Sequence, residues 1–486
     1  MIRLYTLSLA VSFGRRTPLM FACGQRSPRS TVARGMIALV AACALNACDL
    51  VSQPDTGQGA AQQANTELGA RIDDASGVVV AGVPLNAALL RRLYARHGFE
   101  PVWTSQPAAT KSLVEAVLRA GDQGLAPDLF HADLLRHRAE LPPLDRDLLL
   151  SDAFLTYADA LARGAVPVER RSDDQVLTPS PIDVAAALDA ATLSPDPGAA
   201  IDALAPKTPT YLALLKALRA YRASAASGHK VDTNRLRTIE VGLERQRWLP
   251  RSLPPERAWV NVADQRLVLY RANRPIFSTR VVVGEDVRRN QTPEFRATID
   301  ASFFDPPWVI PKDIVDAEIL PKISRDPTYL AHNHMVMLPG GEAEQLPGPE
   351  AGLGLLMFDM PNRFDVYLHD TPDRYIFKRD NRRISHGCIR VQNPRDLAAL
   401  LLREPIDSVN QGIAIGTTTR HDLPTPVPVF VVYQTAFVDA AGALQFRPDF
   451  YERDAEIWRA LQKHEPGGDA TAQTDQRTRL SARLTF

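Results

Sequence analysis

The sequence predicts an α+β protein, a helical region followed by a mainly β domain that carries a helical insert. Three observations predict it. The apolar period is 3.6 from about residue 82 to 250 and becomes 2 after Pro254-Pro255. Short alternating runs then recur between turn signals such as Asn273-Arg274-Pro275 and Pro339-Gly340-Gly341. A helix-like segment, 311–330, interrupts them. A chain of 486 residues has room for two or three domains. Lys+Arg and Asp+Glu number 56 each, so the balance is zero, which argues against a protein built to hold a phosphate backbone. With 45% hydrophobic and 23% charged residues, the composition is that of soluble globular protein rather than a polytopic membrane protein.

Residues 1–48 read as an export leader. Arg26, Arg29 and Arg34 flank the apolar run 36–45, which is too short to span a bilayer but suits a signal-peptide core. Of the four cysteines, Cys23, Cys43 and Cys48 lie in this leader and Cys388 stands alone far downstream, so no disulfide framework is expected. Leu45-Asn46-Ala47-Cys48 resembles a bacterial lipobox. The resemblance implies a lipid on Cys48, and Asp49 after it implies retention at the inner membrane, in the periplasm. An ordinary secretory signal is the alternative. Residues 49–81 are small, polar and free of aromatics, and are expected to form a flexible tether.

From 82 to 250 the pattern is helical. Leu85, Leu89, Leu90, Leu93 and Tyr94 recur at three and four residues, as do Leu150, Phe154, Tyr157 and Leu161. No charged constellation in an apolar setting is visible there, so this region reads as scaffold. The β domain is expected over 256–438, with the insert at about 306–334. The extension 439–486 is expected to be partly disordered.

The densest chemistry lies at 364–391. In Phe364-Asp365-Val366-Tyr367-Leu368-His369 the alternation puts Tyr367 and His369 on one face, with the apolar set inward and the histidine toward a cleft or solvent. Ser385-His386-Gly387-Cys388-Ile389-Arg390 follows, then Asn393-Pro394 as a helix start. Gly387 removes a side chain beside the thiol, which would let a carbonyl substrate approach. A neighbouring imidazole or cation would lower the thiol pKa. A lone cysteine near histidines suits a nucleophile, and equally an inert buried thiol. A zinc site from His369, His386 and Cys388 lacks any CxxC, HxxxH or HExxH spacing to support it.

The segment SHGCIR, whose cysteine lies 19 residues after the histidine of HDTP, resembles the signature of L,D-transpeptidases with a YkuD-type catalytic domain. RQRWLP (245–250), TPEF (292–295), PPWVIPKDI (306–314), LYARHGFEPVW (93–103) and LQFRPDFYERD (444–454) resemble segments of the large periplasmic, YcbB-like branch. The resemblance implies a helical scaffold domain before a mainly β YkuD-type catalytic domain with a helical capping insert. It implies Cys388 as acyl-accepting nucleophile and His369 as general base and acid. Tyr367, Gly387 and Arg390 would shape the site and the oxyanion region. His386 and Ser385 would hold the loop, and Trp308 would belong to the substrate-capping part. Two departures stand out. Only 227–238 lies where large members often carry a wall-binding helical module, and Met357 stands where relatives commonly have lysine.

The implied reaction is 3→3 cross-linking of peptidoglycan stem peptides with release of D-Ala, without metal or organic cofactor. Implied partners are stem peptides, carbapenem-type inhibitors, the membrane through the lipid anchor, and wall synthases, but not nucleic acid. The alternatives are an L,D-carboxypeptidase, a protein-anchoring enzyme of the same chemistry, and a catalytically silent wall-binding scaffold.

Overall fold

The computed structural model describes residues 66–462. The leader with Cys48, the first part of the expected tether and the chain beyond 462 lie outside the described residues.

Proline sets much of the helical half. Helices Pro107–Leu118, Pro143–Arg163, Pro197–Asp202 and Pro209–Ala226 all begin on a proline. Its fixed φ suits the first turn, where the missing N–H would have no partner anyway. Side-chain caps start others: Asn86 accepts from the Leu89 N–H at 3.1 Å, and Asp232 accepts from the Asn234 and Arg235 N–H groups.

Two expectations for this half are corrected. The tether does not reach residue 81. Residues 66–73 are helical, and Leu68 and Ile72, four apart on one face, are buried in the scaffold core. Nor is the helical region without buried charge. Asp147 accepts from the Tyr94 hydroxyl at 2.7 Å and from the Val102 and Trp103 N–H groups, and Asp152 bonds His131 at 2.8 Å. RQRWLP ends the helix Thr233–Arg247. Its Arg247 and the adjacent Glu244, both fully buried, pair at 3.1 Å, and Glu244 also takes the Val166 and Trp248 N–H groups. These charges are tolerated inside because each has fixed partners.

The β domain contains strands β1 (Arg257–Asn261), β2 (Arg266–Arg271), β3 (Arg274–Gly284), β4 (Phe295–Phe304), β5 (Leu356–Asp359), β6 (Leu368–His369), β7 (Arg383–Ser385), β8 (Ile389–Val391) and β9 (Thr419–Val432). Their order is β7-β3-β8-β6-β5-β4-β9-β1-β2, and β2 pairs again with β3, so the sheet closes on itself with β7 attached outside. Closure leaves few open edges and encloses a core that includes Val260, Leu269, Val281, Ile299, Phe358, Leu368 and Ile389. Most neighbours are antiparallel, but β6 and β8, β7 and β3, and β9 and β1 run parallel.

The capping insert is larger than expected and not only helical. It runs from Trp308 to Gln345, with its own three-stranded sheet of Trp308–Ile310, Ala343–Gln345 and Met335–Met337 and a small core of Ile310, Val315, Ile319, Met335 and Ala343. Strands this short lack the alternation that a sequence reading needs.

The chain after β9 packs back on both halves. Ile457 and Leu461 of the helix Arg453–Gln462 join the scaffold core together with Phe430 and Val432 of β9. Arg453, itself buried, pairs with Asp174 of the scaffold and lies 3.5 Å from Glu294.

Candidate active site

Strands β6 and β8 build the site. Their register pairs Leu368 with Ile389 and His369 with Arg390, and the Ile389 N–H donates to the Tyr367 carbonyl at 2.9 Å. In a parallel pair, directly opposed residues point to the same face, and so do residues two apart. Tyr367, His369, Cys388 and Arg390 therefore share one face. The regular strand is shorter than the sequence suggests, because Asp365 takes φ +52° and ends the extended run before Val366.

His369 does not face solvent. It is 4% exposed, because the segment leading into β5 folds over it, with the Leu353 carbonyl against the ring. Burial, with the Arg390 cation second, drives its pKa down to about 3 although two main-chain carbonyls favour the protonated form. Nδ1 lies 2.6 Å from the Asp370 carbonyl oxygen. A carbonyl only accepts, so Nδ1 carries the proton and Nε2 is left without one. Asp370 is held in turn, its carboxylate accepting from the Leu355 N–H at 3.2 Å and from Arg374 at 2.7 Å.

The Cys388 thiol is half-buried and donates to the Asp365 carbonyl at 3.7 Å. Its pKa is raised by burial, against the opposing pull of the Tyr367 N–H and the Arg390 charge. The expectation of a lowered thiol pKa is thus corrected: desolvation outweighs both helpers, and the thiol rests protonated. Tyr367 lies near enough for the Cys388 and Asp365 charges to add to the burial that raises its phenol. Arg390 reaches Asp373 at 3.6 Å, and its Nε is buried without a partner.

The turn carrying the cysteine is tied on both sides. Ser385 Oγ accepts from the Gly387 N–H at 3.3 Å and donates to the Cys388 carbonyl at 2.6 Å. Gly387 has φ +116°, and a Cβ there would meet nothing closer than the Gln291 carbonyl at 3.7 Å. The backbone conformation alone therefore favours glycine at this position. Among the described residues, no acceptor takes the Cys388 N–H.

His386 pairs with the cap. Its Nε2 lies 2.6 Å from Glu318 of the cap. Trp308 sits at the foot of the cap against Gly352, with no bond to the thiol or the imidazole. Among the described residues no three His, Cys, Asp or Glu side chains gather as a metal site. Asn393 precedes the helix Pro394–Leu402, but its side chain accepts from the Thr279 hydroxyl instead of capping.

Sequence reasoning missed the carbonyls of Asp365 and Asp370, because a main-chain oxygen has no signature in the residue letters. It also gave no role to Thr292, although TPEF drew notice.

Residues 88–218 match the Scaffold domain family, and residues 255–431 match the YkuD family, described as the L,D-transpeptidase catalytic domain. Over 399 residues the chain is 27% identical to a Haemophilus influenzae protein named "Putative L,D-transpeptidase", covering 76% of this chain and 78% of that one. Among solved structures, the L,D-transpeptidase from Mycobacterium smegmatis aligns at 13% identity over 37% of this chain and 58% of its own, with a TM-score of 0.21. LD transpeptidase LdtMt1 in complex with imipenem aligns at 12% over 37% and 59%, with a TM-score of 0.19. This chain thus spans less than two thirds of those solved chains. The family matches support L,D-transpeptidase activity, that of an enzyme acting on peptidoglycan.

Proposed function

We propose that this chain, which joins a scaffold domain to an L,D-transpeptidase catalytic domain, forms 3→3 cross-links between peptidoglycan stem peptides through an acyl-enzyme on Cys388. The observation that carries this reading is the β6–β8 register, with a thiol, a neutral imidazole and a cation on one face beside an unclaimed Cys388 N–H.

The thiol first turns from the Asp365 carbonyl toward the imidazole. Burial disfavours both thiolate and imidazolium, so proton transfer accompanies sulfur attack rather than preceding it. The sulfur bonds to the carbonyl carbon of the L-centre of the third stem residue, and His369 Nε2 takes the thiol proton. The oxygen that gains charge is met by the Cys388 N–H, with Arg390 nearby. On collapse the bond to the terminal D-Ala breaks, and the imidazolium protonates its departing amine. The thioester is then attacked by the side-chain amine of an acceptor stem. His369 accepts that proton and returns it to the sulfur as the new amide forms.

Cys48 as a lipidated, inner-membrane anchor would hold this chemistry in the periplasm, near wall synthases. A carbapenem, whose strained carbonyl needs no acceptor, would acylate the same thiol.

Product analysis tests the reading. Purified tetrapeptide muropeptides should yield cross-linked dimers and free D-Ala. Monomeric tripeptide alone would make the enzyme a carboxypeptidase, and attachment to a protein lysine would make it an anchoring enzyme. No product from folded protein would leave it a silent scaffold.

A further inference from the structure

Thr292 is fully buried, and every polar atom it has is engaged. Its hydroxyl donates to the Gly387 carbonyl at 2.8 Å and accepts from the Gly284 N–H at 2.9 Å. Its N–H donates to the Tyr451 hydroxyl at 3.2 Å, and its carbonyl accepts from Arg453 at 3.1 Å. Tyr451 then donates to the Gly284 carbonyl at 2.6 Å.

The Gly387–Cys388 peptide is trans, so its C=O and N–H point in opposite directions in one plane. Holding the carbonyl fixes where the N–H points. The same N–H finds no acceptor among the described residues and belongs to the nucleophile. The positive φ of Gly387 is open to glycine without steric cost, so the glycine by itself does not fix this orientation and the hydrogen bond to its carbonyl does.

We propose that Thr292 is a positioning residue for the oxyanion: its hydroxyl pins the Gly387 carbonyl so that the Cys388 N–H is aimed at the oxygen of the reacting carbonyl. Behind Thr292, Tyr451 and Arg453 hold it in place from the segment after β9. The adjoining Glu294 bonds the scaffold, its N–H donating to the Asp174 carbonyl at 2.6 Å and its carbonyl accepting from the Val176 N–H at 3.0 Å. The scaffold and the C-terminal segment thus reach the nucleophile's peptide through one hydroxyl. The inference rests on the acyl-transfer reading.

The test compares two reactions of Cys388 in the full-length protein. Acylation by a carbapenem develops an oxyanion, whereas alkylation by iodoacetamide does not. Thr292→Val should slow acylation by about 10- to 100-fold, on the scale of losing an oxyanion donor. Alkylation should stay within about twofold, because the sulfur and its base are untouched. Thr292→Ser, which keeps the hydroxyl, should restore acylation to within about threefold. Equal loss of both reactions, undiminished acylation in Thr292→Val, or failure of Thr292→Ser to rescue would each overturn the proposal. If thermal unfolding shows Thr292→Val not to fold, Tyr451→Phe carries the same test, and slower acylation with unchanged alkylation is again required. A wild-type protein that alkylates but is never acylated would instead sink the acyl-transfer reading itself.

Discussion

The Cys388 thiol is directed at the main-chain carbonyl of Asp365, 3.7 Å away, and not at the imidazole of His369. The resting site is therefore a neutral thiol and a neutral imidazole, each bonded to backbone. Burial is the leading cause in both cases, since it penalises whichever form is charged.

The first prediction follows from that resting state. The rate of Cys388 alkylation by iodoacetamide should keep rising through pH 7 to about 9, with no plateau in mildly acid solution. A thiolate–imidazolium pair would give a plateau from about pH 5 upward. Rate constants measured across that range separate the two.

His369 also ties stability to pH. Unfolded, it would protonate near its ordinary value of 6.5, but folded only near about 3. Between those values the unfolded chain binds more protons, so acid favours unfolding. The wild type should lose stability relative to His369→Gln as pH falls below about 6.5, with no such difference developing above it. Denaturant titrations at a series of pH values measure this.

Gly387→Ala places a Cβ at φ +116°, where there is room but strain. The variant should be less stable by about 1–3 kcal/mol and slower in acylation, because relaxing the strain rotates the peptide that carries the Cys388 N–H. Chemical denaturation and carbapenem acylation report the two effects separately.

How much of this was legible in the residue letters depends on the kind of signal. The change of period after Pro254-Pro255 marked the passage from helices to strands, because amphipathic spacing is written along the chain. His369 and Cys388 stood out because imidazole and thiol are scarce and reactive. The burial of His369 was not legible, since it comes from Leu353 and its neighbours, which only tertiary folding brings over the ring. The alternation at 364–369 promised a longer strand, but the positive φ of Asp365 has no strong local signature. Leu68 and Ile72 carried a helical stripe too brief to stand out against their polar surroundings.

The contact between the cap and the turn carrying Cys388 yields a further prediction. His386 and Glu318 are both substantially exposed, so their ion pair should contribute less than about 1 kcal/mol to stability. Glu318→Gln should leave the melting temperature nearly unchanged. It should raise KM for the donor stem with little change in kcat, because it loosens the cap rather than the chemistry. Thermal melts and steady-state kinetics on the same preparation check both.

The proposed reaction requires a stem peptide to be held on the sulfur of Cys388. Intact-protein mass spectrometry after incubation with a tetrapeptide donor and no acceptor tests it most directly. One added acyl group is expected, equal in mass to the donor less D-Ala, mapped by peptide digestion to Cys388 and absent from Cys388→Ala. An adduct on another residue, or undiminished cross-linking by Cys388→Ala, would contradict it.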